Sequence, residues 1–157
     1  MAGIILVATT PEIALTAATA KTVAQLKSNT NQRLKLLKWG VSFDGQSPAA
    51  EPVQVRLVRQ TSAIGGTPTV VTPVLCGFGA ETPQSTFAYS AGGTEPSLDS
   101  PNKVLDVKEV HPQSGYEYTY PLGQEDFVSG GASAGYLGIE CTAPGAVNVR
   151  AMMKWEE

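Results

Sequence analysis

Residues 147–155 alternate without a break. Val147, Val149, Ala151, Met153 and Trp155 share one parity; Asn148, Arg150, Met152 and Lys154 share the other. Successive side chains of a strand point to opposite faces, so this period of two sets one face on a core and one toward water. The preceding stretch, Leu137-Gly138-Ile139-Glu140-Cys141, is a second strand, and Pro144-Gly145 is the turn between them. A two-faced sheet needs a second layer to cover its apolar side, so these residues already demand a layered β fold.

The rest of the chain repeats the signal. Residues 33–43 form the second-clearest strand, with Leu37, Trp39, Val41 and Phe43 on one parity and Leu34 and Leu36 on the other. A one-residue bulge near Leu36-Leu37 would bring both sets inward. Asp44-Gly45-Gln46-Ser47-Pro48 is a turn. Further strands are expected at 22–26, 53–58, 104–110, 116–120, 125–129 and 137–142. Pro73 interrupts a short strand over 70–75 and places it at an edge. Residues 77–101, rich in Gly, Ser, Thr and Pro, read as an excursion over the surface with a weak strand at 86–89. Thr9-Thr10-Pro11 ends the apolar run that starts at Gly3, which suggests an arm over residues 1–12 hinged to a single domain over 13–157. No convincing helix is present, so pairing is antiparallel and the fold all-β: an antiparallel β-sandwich or jelly roll of about eight strands with an extended N-terminal arm. An immunoglobulin domain is nearer about 100 residues and has Cys…Trp…Cys order, whereas here Trp39 precedes both cysteines.

Composition narrows the function. Of the 157 residues 16% are charged, below the roughly 25% usual for soluble domains. With 16 glycines and 11 prolines, the chain favours short strands, many loops and a surface partly covered by other proteins. The net charge of −3, with no Lys/Arg stripe, lacks the electrostatic footprint of nucleic-acid binding. The opening apolar run has no basic flank and is too short for a signal peptide or membrane span, so synthesis in a reducing cytoplasm is expected. Cys76 and Cys141 have no Cys-x-x-Cys spacing, and both read as small buried hydrophobes.

Catalytic chemistry has little to build on. The one histidine, His111, precedes Pro112 in a turn, where a solvated or capping role is expected; without a second His or a Cys pair no zinc or non-haem iron site is expected. No Gly-x-Ser-x-Gly is present. Asp106 and Glu109 have opposite parity, and Glu125-Asp126 lies in a loop, so solvated charges are the expected reading of the carboxylates. The Gly pairs lack the following helix and Lys-Ser/Thr that cradle phosphate. Tyr116, Tyr118 and Tyr120 share one strand face. They suit core packing with hydroxyls at the rim, a subunit interface or a sugar-stacking platform. Met152, apolar on a polar face, suggests a face partly covered by a neighbour.

Three segments together carry a resemblance: residues 32–45 (QRLKLLKWGVSFDG), residues 111–116 (HPQSGY), and residues 139–150, from Ile139-Glu140-Cys141-Thr142-Ala143-Pro144 through Arg150. They resemble a family of small structural proteins of tailed bacteriophages, over about residues 15–157. The strings are distinctive but carry no catalytic meaning. The family resembles trimeric jelly-roll decoration, or cement, proteins. The resemblance implies a structural virion protein without enzymatic activity or cofactor. It would be a homotrimer on the outer capsid surface, bound to the major capsid protein and touching neither nucleic acid nor membrane. On that reading Ile4, Ile5, Leu6 and Val7 of the arm would contact capsid or a neighbouring subunit. Tyr116, Tyr118, Tyr120 and Met152 would lie at a subunit interface. The competing reading is a receptor-binding or fibre-knob module; the absence of heptads or a shaft disfavours it. A cupin-like enzyme would need a histidine and carboxylate cluster.

Overall fold

In the computed structural model, residues 3–30, 32–45, 50–77, 79, 81–99, 104–129 and 135–157 are described. They form thirteen strands and no helix: β1 (Ile5–Thr9), β2 (Ile13–Leu15), β3 (Ala20–Lys27), β4 (Arg33–Phe43), β5 (Val53–Gln60), β6 (Thr69–Val71), β7 (Val74–Leu75), β8 (Thr86–Tyr89), β9 (Val104–Val110), β10 (Gly115–Thr119), β11 (Asp126–Ser129), β12 (Tyr136–Thr142) and β13 (Val147–Glu156). All pairings are antiparallel. The first sheet runs β10-β4-β13-β1-β7, with β11 extending the pairing along β4 and β2 along β13; the second runs β6-β8-β3-β12-β5-β9. β1 pairs with β13, β3 with β12, β4 with β10 and β5 with β9. The first half of the chain therefore pairs outside-in with the second half, and the doubled ribbon is rolled into two sheets. This is the jelly-roll winding of a β-sandwich.

The period-two patterns meet in the core. Leu6, Leu34, Leu36, Trp39, Val149, Ala151, Met153 and Trp155 from the first sheet face Val23, Leu26, Val55, Leu57, Leu137, Ile139 and Cys141 from the second, all of them buried. The change of parity in β4 is resolved as expected. Lys38 opposes Lys154 and Leu36 opposes Trp155, so Leu37 is the extra residue, and Leu34 and Leu36 before it turn inward together with Trp39 and Val41 after it. Pro73 falls between β6 and β7, which lie at edges of different sheets.

Three expectations need correction. The N-terminal segment is extended but docked: β1 lies between β13 and β7, with Leu6 fully buried and Ala8 nearly so. Pro11 is no hinge to a free arm. It falls in the gap between β1 and β2, which follow the same strand β13; there the Thr10 hydroxyl accepts the Ala151 N–H at 2.9 Å. The stretch 77–101 is also more than a surface excursion. Phe87 of β8 is fully buried and stacks on Trp155 with centroids 6.0 Å apart, and Trp155 Nε1 donates to Ser85 Oγ at 2.8 Å. Cys76 is exposed rather than buried, because it lies beyond β7 at the rim; both cysteines are free thiols. Burial pushes the Cys141 thiol far above its ordinary range.

Candidate functional site

The two outer faces of the sandwich are finished differently. On the second sheet, Thr22 and Gln25 of β3, Gln60 of β5 and Glu140 of β12 are polar yet buried. The loops at 61–66 and 91–98 close over them. Gln25 Nε2 donates to Gln60 Oε1 (2.6 Å) and to the Ser62 carbonyl (2.9 Å), and Gln60 Nε2 donates to Thr22 Oγ1 (2.8 Å). Gln25 Oε1 accepts the Ile64 N–H at 3.0 Å, and Glu95 Oε2 accepts the Thr22 N–H at 2.6 Å. Arg56 forms an ion pair with Glu140 across β5 and β12. Gly138 makes the cluster possible, since a Cβ there would collide with the Gln60 amide. The side-chain amide oxygens and nitrogens of Gln25 and Gln60 all find partners within the chain.

Among the described residues, no loop covers the first sheet in this way. Its outward residues form rows across the strands. Val74, Val7, Lys154 and Lys38 make one; Thr9, Met152, Gly40 and Glu117 the next; Arg150, Ser42 and Gly115 a third. Val74 is 64% exposed. Met152 and Gly40 floor a shallow hollow of ≈ 350 Å³ with Arg150 and Glu117 among its walls. Lys38 is paired to Glu117 at 2.7 Å and Arg150 to Glu12 at 3.5 Å; Lys154 forms no ion pair with a described residue. Asn148 donates from its backbone (2.8 Å) and side chain (2.7 Å) to the Asp44 carboxylate, and these bonds hold Asp44 below the usual carboxylate range.

The predicted contact residues do not gather in one place. Leu6 is core and Ile4 packs against it, while Ile5 and Val7 lie half-buried on the outer face of the first sheet. Tyr116 and Tyr120 pack on the core edge, Tyr116 against Trp39 with centroids 5.2 Å apart. Tyr118 is the most exposed of the three and meets Tyr120 edge-on at 4.9 Å. Asp106 lies 3.5 Å from the Tyr116 hydroxyl, and burial raises that phenol's pKa. Met152 lies on the outer face two strands from β7.

One carboxylate also differs from expectation. Glu125 is buried rather than solvated, with Lys35 Nζ 3.1 Å away. Backbone N–H groups of Glu125 and Gly123, together with the Lys35 ammonium, hold its carboxyl below the ordinary value. The only sequence sign of this was a lysine on a strand face one bulge away. His111 caps its own turn, accepting the Gln113 N–H on Nδ1 at 3.2 Å. Among the described residues, no three His, Cys, Asp or Glu side chains converge as a metal ion would require. What the geometry provides is a broad strand face with apolar residues set among charges.

No protein-family model, curated protein or solved structure matches the chain.

Proposed function

We propose that this chain is a structural virion protein, a homotrimeric decoration (cement) protein that binds the major capsid protein on the outside of a tailed-phage head. The observation that carries the reading is the bare outer face of the first sheet. Val7, Val74 and Met152 face outward there, beside Lys154, while the opposite face is closed by the chain's own loops. Apolar residues set together on an open face mark a surface for a protein partner. The jelly-roll winding agrees with the resemblance of residues 32–45, 111–116 and 139–150 to phage head proteins. In this reading the first sheet meets the shell, and low charge limits the desolvation cost of the contact.

The test is co-sedimentation with purified heads lacking the protein. Saturable binding at a stoichiometry tied to capsid hexamers, lost in Met152→Lys and Val74→Glu, is the expected result. Failure of the wild-type chain to bind heads, or binding unchanged by both substitutions, sinks the assignment or the face respectively.

A further inference from the structure

The strands at the sheet edges differ in length. β6, β7 and β10 have three, two and five residues, whereas β9, at the far edge of the second sheet, has seven. Among the described residues β9 pairs with β5 alone, regularly from Asp106 to Val110, with the register shift confined to its start. No proline interrupts it. One side of its backbone therefore offers N–H and C=O groups to a further strand, the template by which a sheet extends across molecules.

What guards this edge also selects its partner. Asp106 and Lys108 share the parity of the buried Val110 and point toward the first sheet. There Lys108 Nζ lies 3.1 Å from the Asp106 carboxylate and 5.7 Å from the centre of the Tyr116 ring, and the Tyr116 hydroxyl is 3.5 Å from Asp106. Inward charges protect an edge, because an incoming strand would bury them without counterparts. A second β9, antiparallel and centred on Val107, supplies those counterparts. Asp106 then lies opposite Lys108 of the second copy, Lys108 opposite its Asp106, and Val107 opposite itself. The ion pair within each strand does not use this up. The four charges alternate around a rectangle, each keeping its neighbour along the strand and gaining another across it. Moving the centre by one residue sets Lys108 against Lys108, or Asp106 against Asp106, so a single register is favoured. Val107, 47% exposed on the outer face, gains an apolar partner at the centre.

We infer that β9 of one copy pairs antiparallel with β9 of a second about a two-fold axis at Val107, joining their six-stranded sheets edge to edge. The contact is isologous, so it closes at two copies. It goes beyond the proposed reading: a homotrimer needs a different contact, and this one links one ring to the next. Position-specific oxidation of the full chain tests it, in a Cys76→Ser background that removes the exposed native thiol. Val107→Cys should give a disulfide-linked dimer under a mild oxidant, because opposite Cα atoms stand about 4.5–5.5 Å apart, within disulfide reach. Glu109→Cys, exposed on the same face, should stay monomeric. In this register it lies opposite Leu105, and the second copy's Glu109 is four residues further along, about 13 Å away. Asp106→Lys and Lys108→Asp each set like charges against one another. Each should weaken self-association by about tenfold or more in light scattering after size-exclusion chromatography, with circular dichroism unchanged. Their equimolar mixture should recover it, because a strand with two lysines then meets one with two aspartates. Equal cross-linking at both positions or at neither overturns the contact, as do charge variants that associate like wild type or a mixture no more associated than its components. Specific dimers from a protein that ignores phage heads would keep this contact and remove the capsid reading; a chain that coats heads without the Val107 cross-link would do the reverse.

Discussion

The second sheet hides a polar outer face, whereas the first exposes a partly apolar one. Strand patterning alone would rank them the other way. Gln25, Gln60 and Thr22 are covered because loops 61–66 and 91–98 return hydrogen bonds to them. Val7, Val74 and Met152 stay open because β6 and β7 pass along the edges and never fold back over the first sheet. Coverage follows from where the excursion between β5 and β9 lies. A polar face closes when its hydrogen bonds can all be satisfied within the chain. An apolar set on an open face stays in contact with water unless something covers it.

The largest effect should come from breaking the core that both faces share. Trp155→Ala removes the stack on Phe87 and the bond to Ser85, and should cost about 3–5 kcal/mol in chemical denaturation. Removing residues 1–11 belongs in the same class. It takes Leu6 out of the core and opens the β13 edge, so loss of the folded circular-dichroism signal is expected, whereas a free arm would leave the fold intact.

Next comes the closed face itself. Gln60→Ala strips partners from Gln25 and Thr22 and should cost about 1–3 kcal/mol. Amide exchange should rise selectively in residues 61–66 and 91–98; uniform protection would mean the loops are held by something other than this cluster.

Glu125 gives a smaller, pH-dependent effect beside the open face. Its folded pKa lies below the ordinary 4.5, so its stabilising contribution is complete above that value and is lost as pH falls through the folded one. Glu125→Gln should flatten the acid limb of a plot of Tm against pH; an unchanged limb would assign acid sensitivity elsewhere. The smallest effect on stability should be Met152→Lys, within about 0.5 kcal/mol of wild type, because the side chain lies half-buried on an outer face where a lysine stem can take its place. A large stability loss there would erase the contrast between the faces.

Much of the fold was legible along the chain. β13 and β4 announced themselves by period two, and the parity change at Leu37 announced its bulge. Pro73 marked an edge position, but the one strand expected over 70–75 is two, β6 and β7, at edges of different sheets. Residues 77–101 resisted reading because one buried ring, Phe87, sits in a stretch of Gly, Ser, Thr and Pro that has no period. The N-terminal segment was misread for a related reason. A proline breaks a ladder, but here the break falls between two segments that share one partner, and only the position of β13 reveals that. Residues 121–124 were only the gap between two expected strands, and the exposure of Leu122 was not legible, because its prominence depends on β10 and β11 both pairing with β4.

What the sequence determined by itself is the local alternation of faces, the turns and the bulge, since each depends on neighbours a few residues apart. Which faces are covered, which leucine protrudes and which glutamate is buried were decided by tertiary structure. Those outcomes depend on strands brought together from distant parts of the chain, and on the hydrogen bonds and apolar contacts that form only where they meet.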